Sequence, residues 1–202
     1  MNNNVIFISN GNSKMGAIPS FSLPAVITCN PAAPCFRKCY AAKLERIYKT
    51  VRNAYSRNYE IVRNDPDAFA AQINAALAVN RFFRFHVSGD FYSPEYFALV
   101  CDLVRKNPGC TVLAFTKQYD IVNDYIAENG PLPVNFKVIF STWGDFRGNN
   151  PYNLPESAVI FKGAESVPDA WKICGGNCTE CACRGCGCWE LKNGDTIAFY
   201  EH

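Results

Sequence analysis

Phe82-Phe83-Arg84-Phe85-His86-Val87-Ser88-Gly89-Asp90 is the stretch that sets the fold. Its first six residues are dominated by aromatic and β-branched side chains and read as a strand, which Ser88-Gly89-Asp90 ends. Ser93-Pro94-Glu95 then opens a helix, with a hydroxyl at the cap and proline in the first turn, and Asn107-Pro108-Gly109 stops it. The unit repeats. Thr111 to Thr116 reads as a strand, a helix runs from Tyr119 to Glu128 and ends at Gly130, and Phe136 to Ser141 is a further strand, followed by Thr142-Trp143-Gly144-Asp145. Alternating strand and helix units predict a parallel sheet.

Working outward, Phe21 to Cys29 reads as extended, and a long helix is expected from Arg37 to Val62. Tyr40, Leu44, Ile47, Val51, Tyr55, Tyr59 and Val62 recur on it at three and four, with lysines and arginines on the opposite arc. Asp65-Pro66 begins a second helix carrying Phe69, Ile73 and Leu77 on one face. Beyond Asp145, residues 146–157 look loop-like, and Ala158–Phe161, Trp171–Cys174 and Thr196–Tyr200 look like strands. About seven strands of this kind predict an α/β fold, a single-domain irregular or shortened (β/α) TIM-like barrel over residues 1–202. Residues 1–173 would form the barrel core, 174–189 a cysteine-rich segment and 190–202 a closing strand. In such barrels chemistry gathers at the C-terminal ends of the strands, where Asp90, Lys117 and Asp145 fall.

Of 202 residues, 49% are hydrophobic and 19% charged, and the net charge is +2. That profile is globular and gives no strong electrostatic partner. The first residues lack a signal-peptide pattern, and no run of about 18 apolar residues crosses a membrane. The expectation is a cytoplasmic protein without a membrane partner. The basic arc of the long helix lacks interleaved aromatic platforms, so nucleic acid is not expected as a partner either.

Nine of the eleven cysteines fall in two clusters. Cys29, Cys35 and Cys39 lie on a proline-bearing loop between a strand and a helix; Cys174, Cys178, Cys181, Cys183, Cys186 and Cys188 lie in a glycine-rich segment. In a reducing cytoplasm such clusters read as metal ligands. Several close thiolates suit a multi-iron cluster, backbone N–H groups at a helix start stabilise its negative charge, and glycines let the chain wrap closely round it. All nine are therefore candidate ligands for one [4Fe–4S] cluster or, with eight used, for two. Structural zinc is the rival, but six cysteines exceed one tetrahedral site, and zinc leaves the first triplet unexplained. Cys101 and Cys110 stand alone among apolar neighbours and read as core residues.

Three stretches together resemble the gene product 88 family of phage proteins: Asn12-Ser13-Lys14-Met15-Gly16 running to Ser20-Phe21-Ser22-Leu23-Pro24, Cys29 to Cys39 with Tyr40-Ala41, and His86 to Phe91. The end of the chain, closing on Cys188-Trp189 and a terminal strand, is similar too. The resemblance implies a phage or prophage origin, hence the host cytoplasm, and carries no settled activity. A looser resemblance is to radical S-adenosylmethionine enzymes, which place three cysteines after their first strand and a glycine-bearing turn after the second. It implies that Ser88, Gly89 and Asp90 hold the cofactor's amino group. The cysteine spacing departs from that family: five residues then three here, against three then two.

His86, by alternation along its strand, is expected on the side of Arg84 and Ser88, where a satisfied core role competes with proton or hydrogen-bond donation to a cluster. Two functions follow from these readings. One is electron transfer through fully cysteine-ligated [4Fe–4S] clusters to a redox partner the sequence does not identify. The other is an enzyme whose open iron binds S-adenosylmethionine, the less favoured reading. A zinc-stabilised binding module is third.

Overall fold

The computed structural model describes residues 4–164, 166–185 and 187–201. Eight strands form one sheet: β1 (Ile8–Ser9), β2 (Ser20–Phe21), β3 (Phe82–Phe85), β4 (Thr111–Thr116), β5 (Phe136–Ser141), β6 (Glu156–Ile160), β7 (Lys172–Ile173) and β8 (Thr196–Tyr200). Their order is β1-β2-β3-β4-β5-β6-β8-β7. Only β1 pairs antiparallel, with β2; every other ladder is parallel.

Helices interrupt the strands: α1 (Tyr40–Ile47), α2 (Lys49–Asn64), α3 (Pro66–Val79), α4 (Pro94–Lys106), α5 (Tyr119–Asn129) and α6 (Cys178–Arg184), the last a short helix in the cysteine-rich segment, where the sequence predicts none. Asp65 caps α3 by accepting from the Ala68 amide at 3.0 Å, and Ser93 caps α4 through the Tyr96 amide at 3.2 Å. Each satisfies an amide that the helix start leaves without an intrahelical partner.

The central strands are apolar on both faces because both are covered. On one face, Phe69, Ile73, Phe97 and Val100 of the helices pack with Phe83, Phe85 and Val112 of the sheet. On the other, Leu113, Ile139 and Ile197 meet Met15, Ala182, Cys188 and Trp189. The Trp189 ring stands edge-on to Phe82 with centroids 5.1 Å apart. The cysteine-rich segment, α6 with the 3-10 turn Gly187–Trp189, is thus the layer that covers the face the main helices leave bare.

Three expectations are corrected. The ladder is linear, and among the described residues no ladder joins β1 to β7, so the observed sheet is open and mostly parallel instead of hydrogen-bonded into a closed barrel. What connects its two ends is loop contact: the Cys178 amide donates to the Lys14 carbonyl at 3.1 Å, and Lys38 lies 3.9 Å from Glu201. Second, the long helix breaks at Tyr48, whose φ of −109° and ψ of 98° are extended. Its two halves bury different faces. α1 turns Ala41 and Glu45 inward and leaves Tyr40, Leu44 and Ile47 54%, 43% and 57% exposed, while α2 buries Asn58, Ile61 and Val62. Third, the extended run Phe21–Cys29 contributes only Phe21 to a strand, because Val26 takes a left-handed φ of 72° and the chain turns.

Asn58 is fully buried and holds β1 in place. Its Oδ1 accepts from the Phe7 amide at 2.6 Å, and its Nδ2 donates to the carbonyls of Phe7 and Ser22, each at 2.9 Å. Asn58→Ala leaves these buried backbone groups without partners and is expected to cost about 2–4 kcal/mol. Urea denaturation measures the loss, and hydrogen exchange should speed up at Phe7.

Candidate metal and ligand site

The C-terminal ends of the parallel strands border a cavity of about 600 Å³, within the size range of small-molecule sites. Six cysteines line it: Cys29, Cys35 and Cys39 from the β2–α1 connection, and Cys174, Cys178 and Cys188 from the segment after β7. Segments far apart in sequence meet here because parallel strands deliver their following loops to one edge.

The first group is shaped by the turn after β2. Thr28 Oγ1 donates to the Pro24 carbonyl at 2.8 Å, and Cys35 sits in a 3-10 turn, Pro34–Lys38. Cys39 caps α1, its sulfur accepting from the Ala42 amide at 3.5 Å. Burial pushes the Cys29 thiol up to about 12, with the Asp90 carboxylate and its two cysteine neighbours adding to the effect. Burial also raises Cys35, opposed by the Lys117 ammonium.

The second group hangs on the N-terminal turn Asn12–Gly16. Besides the Cys178–Lys14 bond, Thr179 Oγ1 donates to the Met15 carbonyl at 2.8 Å and accepts from the Ala17 amide at 3.2 Å. Burial pushes Cys188 up to about 12, with Cys174, Cys178 and Cys181 as electrostatic neighbours and Arg84 acting the other way. Arg84 also opposes the rise that burial gives Cys178. Cys174, Cys178, Cys181 and Cys188 therefore form a set of four, with the Arg84 guanidinium beside it.

The remaining predicted ligands lie elsewhere. Cys183 is exposed and borders a separate cleft near Arg81 and Arg184, because one helical step past Cys181 and Ala182 turns it outward. Cys186 lies outside the described residues. Cys101 and Cys110 are buried in the helix-side core. Among the described residues, no three His, Cys, Asp or Glu side chains converge closely enough for one metal ion. A zinc site needs its sulfurs about 2.3 Å from a single point. A multi-iron cluster takes each sulfur on a different iron, so its ligands stand further apart.

Ser88, Gly89 and Asp90 border the cavity, and their polar atoms are engaged within the protein. Ser88 Oγ donates to Glu45 Oε1 at 2.9 Å, and the same oxygen accepts from the Ala25 amide at 2.8 Å. Gly89 has φ of +80°, and a side chain there would collide with Thr28 and Leu23. Asp90 accepts from Thr116 Oγ1 at 2.6 Å, the Phe91 amide at 2.8 Å and the Lys117 amide at 2.9 Å. Burial raises the Asp90 carboxyl, and these three donors oppose the rise. Asp90 and Lys117 thus meet as expected, whereas Asp145 lies exposed in the tight turn between Trp143 and Phe146.

His86 is not where strand alternation puts it. Its φ of 59° rotates the side chain into the helix-side core, where Nε2 is 2.9 Å from Tyr96 Oη and the ring lies 4.5 Å from Phe91. Sequence reasoning also passed over Arg84 and Glu45. The Ala41–Glu45 spacing of four was the available signal that a carboxylate shares the buried arc of α1.

A mostly parallel α/β sheet with a cysteine-lined cavity at its strand ends describes the class. The chain belongs to the gene product 88 family, whose "Gene product 88" pattern matches residues 4–195. It is 31% identical over 121 residues to the Gene 88 protein of Mycobacterium phage L5 (53% of this chain, 51% of the relative). It is 30% identical over 121 residues to that of Mycobacterium phage D29 (53% and 50%). The chain spans about half the length of the curated relatives it matches. No solved structure matches it. No helix among the described residues is long and apolar enough to cross a membrane.

Two outcomes are expected. Gly16 has φ of +64°, and a side chain there would strike the Thr179 hydroxyl. Gly16→Val should loosen the cysteine-rich segment and speed the reaction of Cys178 with a thiol reagent, while Cys101 stays protected; peptide mapping after brief labelling reads both. Burial, then the Arg84 charge, pushes His86 down to about 3 from 6.5. The unfolded chain therefore takes up a proton below about pH 6.5 that the folded chain refuses. Stability is expected to fall between about pH 6.5 and 3, by up to about 1.4 kcal/mol per pH unit from this group. Denaturation of His86→Gln at pH 7 and pH 5 should show a smaller difference than the parent.

Proposed function

We propose that the chain is an iron–sulfur redox protein holding its clusters at the C-terminal ends of the strands of an opened (β/α) barrel. The observation that carries this reading is that two cysteine segments from opposite ends of the sequence line one cavity. Cys174, Cys178, Cys181 and Cys188 would ligate one [4Fe–4S] cluster, and Cys29, Cys35 and Cys39 would supply three ligands to another. The donor chemistry fits. Buried neighbouring thiols are held protonated, and coordination to iron is what would make them thiolates. Backbone amides at the start of α1 and the Arg84 and Lys117 cations offset the negative charge of sulfur-bound iron. When bound, a cluster supplies one-electron transfer; the protein's part is to bury it, neutralise it and set its potential.

The division into three and four favours a second reading, in which the N-terminal cluster keeps one iron free for a ligand in the cavity. S-adenosylmethionine would need an acceptor near Asp90, and three of the roughly four acceptor positions of that carboxylate are already taken by hydrogen bonds within the protein. Electron transfer is accordingly the function the site supports best.

Anaerobically purified protein should be brown and carry iron and acid-labile sulfide in near-equal amounts. Cys35→Ala and Cys181→Ala should each lose part of the iron and leave distinct EPR signals, and Cys101→Ala should lose none. Colourless protein carrying only zinc after iron-sufficient expression overturns the proposal. Loss of iron from Cys101→Ala but not from Cys35→Ala overturns the ligand assignment.

A further inference from the structure

Much of the cavity lining is apolar, with Phe115, Trp143 and Phe199 among its rings. Among the polar residues that interrupt this lining is a pair bonded across adjacent strands. Lys117, at the end of β4, donates from Nζ to Ser141 Oγ of β5 at 2.7 Å, and both residues line the cavity. A half-buried ammonium usually meets a carboxylate, because desolvating an uncompensated charge is costly. Lys117 forms no ion pair with a described residue. The nearby Asp90 carboxylate is taken up by Thr116 and by two backbone amides, one of them that of Lys117 itself. The other cations that line the cavity are engaged elsewhere: Arg84 sits beside Cys178 and over the Phe115 ring, 4.9 Å from its centroid, Lys14 lies over the Phe199 ring at 5.5 Å, and Lys38 approaches Glu201 at 3.9 Å. The Lys117 ammonium is thus left facing the cavity with a neutral hydroxyl as its hydrogen-bond partner. That hydroxyl, by accepting from Lys117, has its own proton free to donate.

We infer that the Lys117–Ser141 pair binds the carboxylate of a small molecule whose apolar body lies against the aromatic wall. Two donors on adjacent parallel strands can engage the two oxygens of one carboxylate. One ammonium beside one neutral hydroxyl offers a single compensating charge at that point of the wall, which a carboxylate monoanion matches. The inference goes beyond electron transfer.

The test uses the whole protein as purified, with iron and sulfide measured on every sample so that cluster loss is read separately. Binding of 4-fluorobenzoate is followed by ¹⁹F NMR against 4-fluorobenzamide, its uncharged counterpart of nearly the same shape. The carboxylate should bind and the amide should bind at least about tenfold more weakly. Lys117→Gln should weaken the carboxylate by about tenfold or more and Ser141→Ala by a smaller factor, while the amide is unaffected. The comparison of acid with amide needs no variant, so it stands even where Lys117→Gln fails to fold. Equal binding of acid and amide, absence of binding, or unchanged carboxylate affinity in folded Lys117→Gln and Ser141→Ala overturns the inference. Tighter displacement by inorganic phosphate than by unlabelled benzoate overturns the assignment of ligand class.

Discussion

The approach of the β3 turn to the chain leaving β2 is the constraint on which the cavity depends. Gly89 leaves no room for a side chain between itself, Leu23 and Thr28. The Leu23 amide bonds the Ser88 carbonyl at 3.0 Å, and the Asp90 amide bonds Thr28 Oγ1 at 3.1 Å. Glu45, 9% exposed, closes the same junction from α1. A buried carboxylate is tolerated where donors surround it, and here Ala25 and Ser88 are those donors. The result is a rigid joint between two parallel strands, from which the Cys29–Cys39 loop springs and against which α1 is braced. Widening it by one methyl group would move the whole first cysteine group relative to the second.

Much of this was legible in the sequence. The central strands announced themselves through apolar runs, α3 and α4 through proline in the first turn and side-chain caps, and α5 through the glycine that ends it, all of which act within a few residues. The two cysteine groups were equally plain. That they share one cavity is seen only in the structure, where parallel topology sends the loops to one edge although the sheet does not close.

The features that escaped depend on contacts distant in sequence. Tyr48 breaks a helix whose periodicity looked continuous, because what decides the break is which partners Glu45 and Asn58 reach, and those lie at Ala25, Ser88, Phe7 and Ser22. His86 left the strand alternation through a left-handed backbone that no local rule assigns to a histidine between Phe85 and Val87. Cys183 looked equivalent to its neighbours in spacing, and only the placement of a two-turn helix turned it away.

The layering of the sheet has a consequence for how the chain matures. Leu113, Ile139 and Phe82 are covered largely by Ala182, Cys188, Trp189 and Leu191, which the ribosome makes long after the strands that need them. Contacts of such long sequence separation form late, and apolar strand surface exposed in the meantime is prone to misassociation. The growing chain must therefore carry a bare sheet face until the cysteine-rich segment emerges and docks. The segment that brings the second set of thiols is also the cover of that face. Assembly of a metal centre on Cys174, Cys178, Cys181 and Cys188 and burial of the last sheet face would then be one event, completed after translation has passed Leu191.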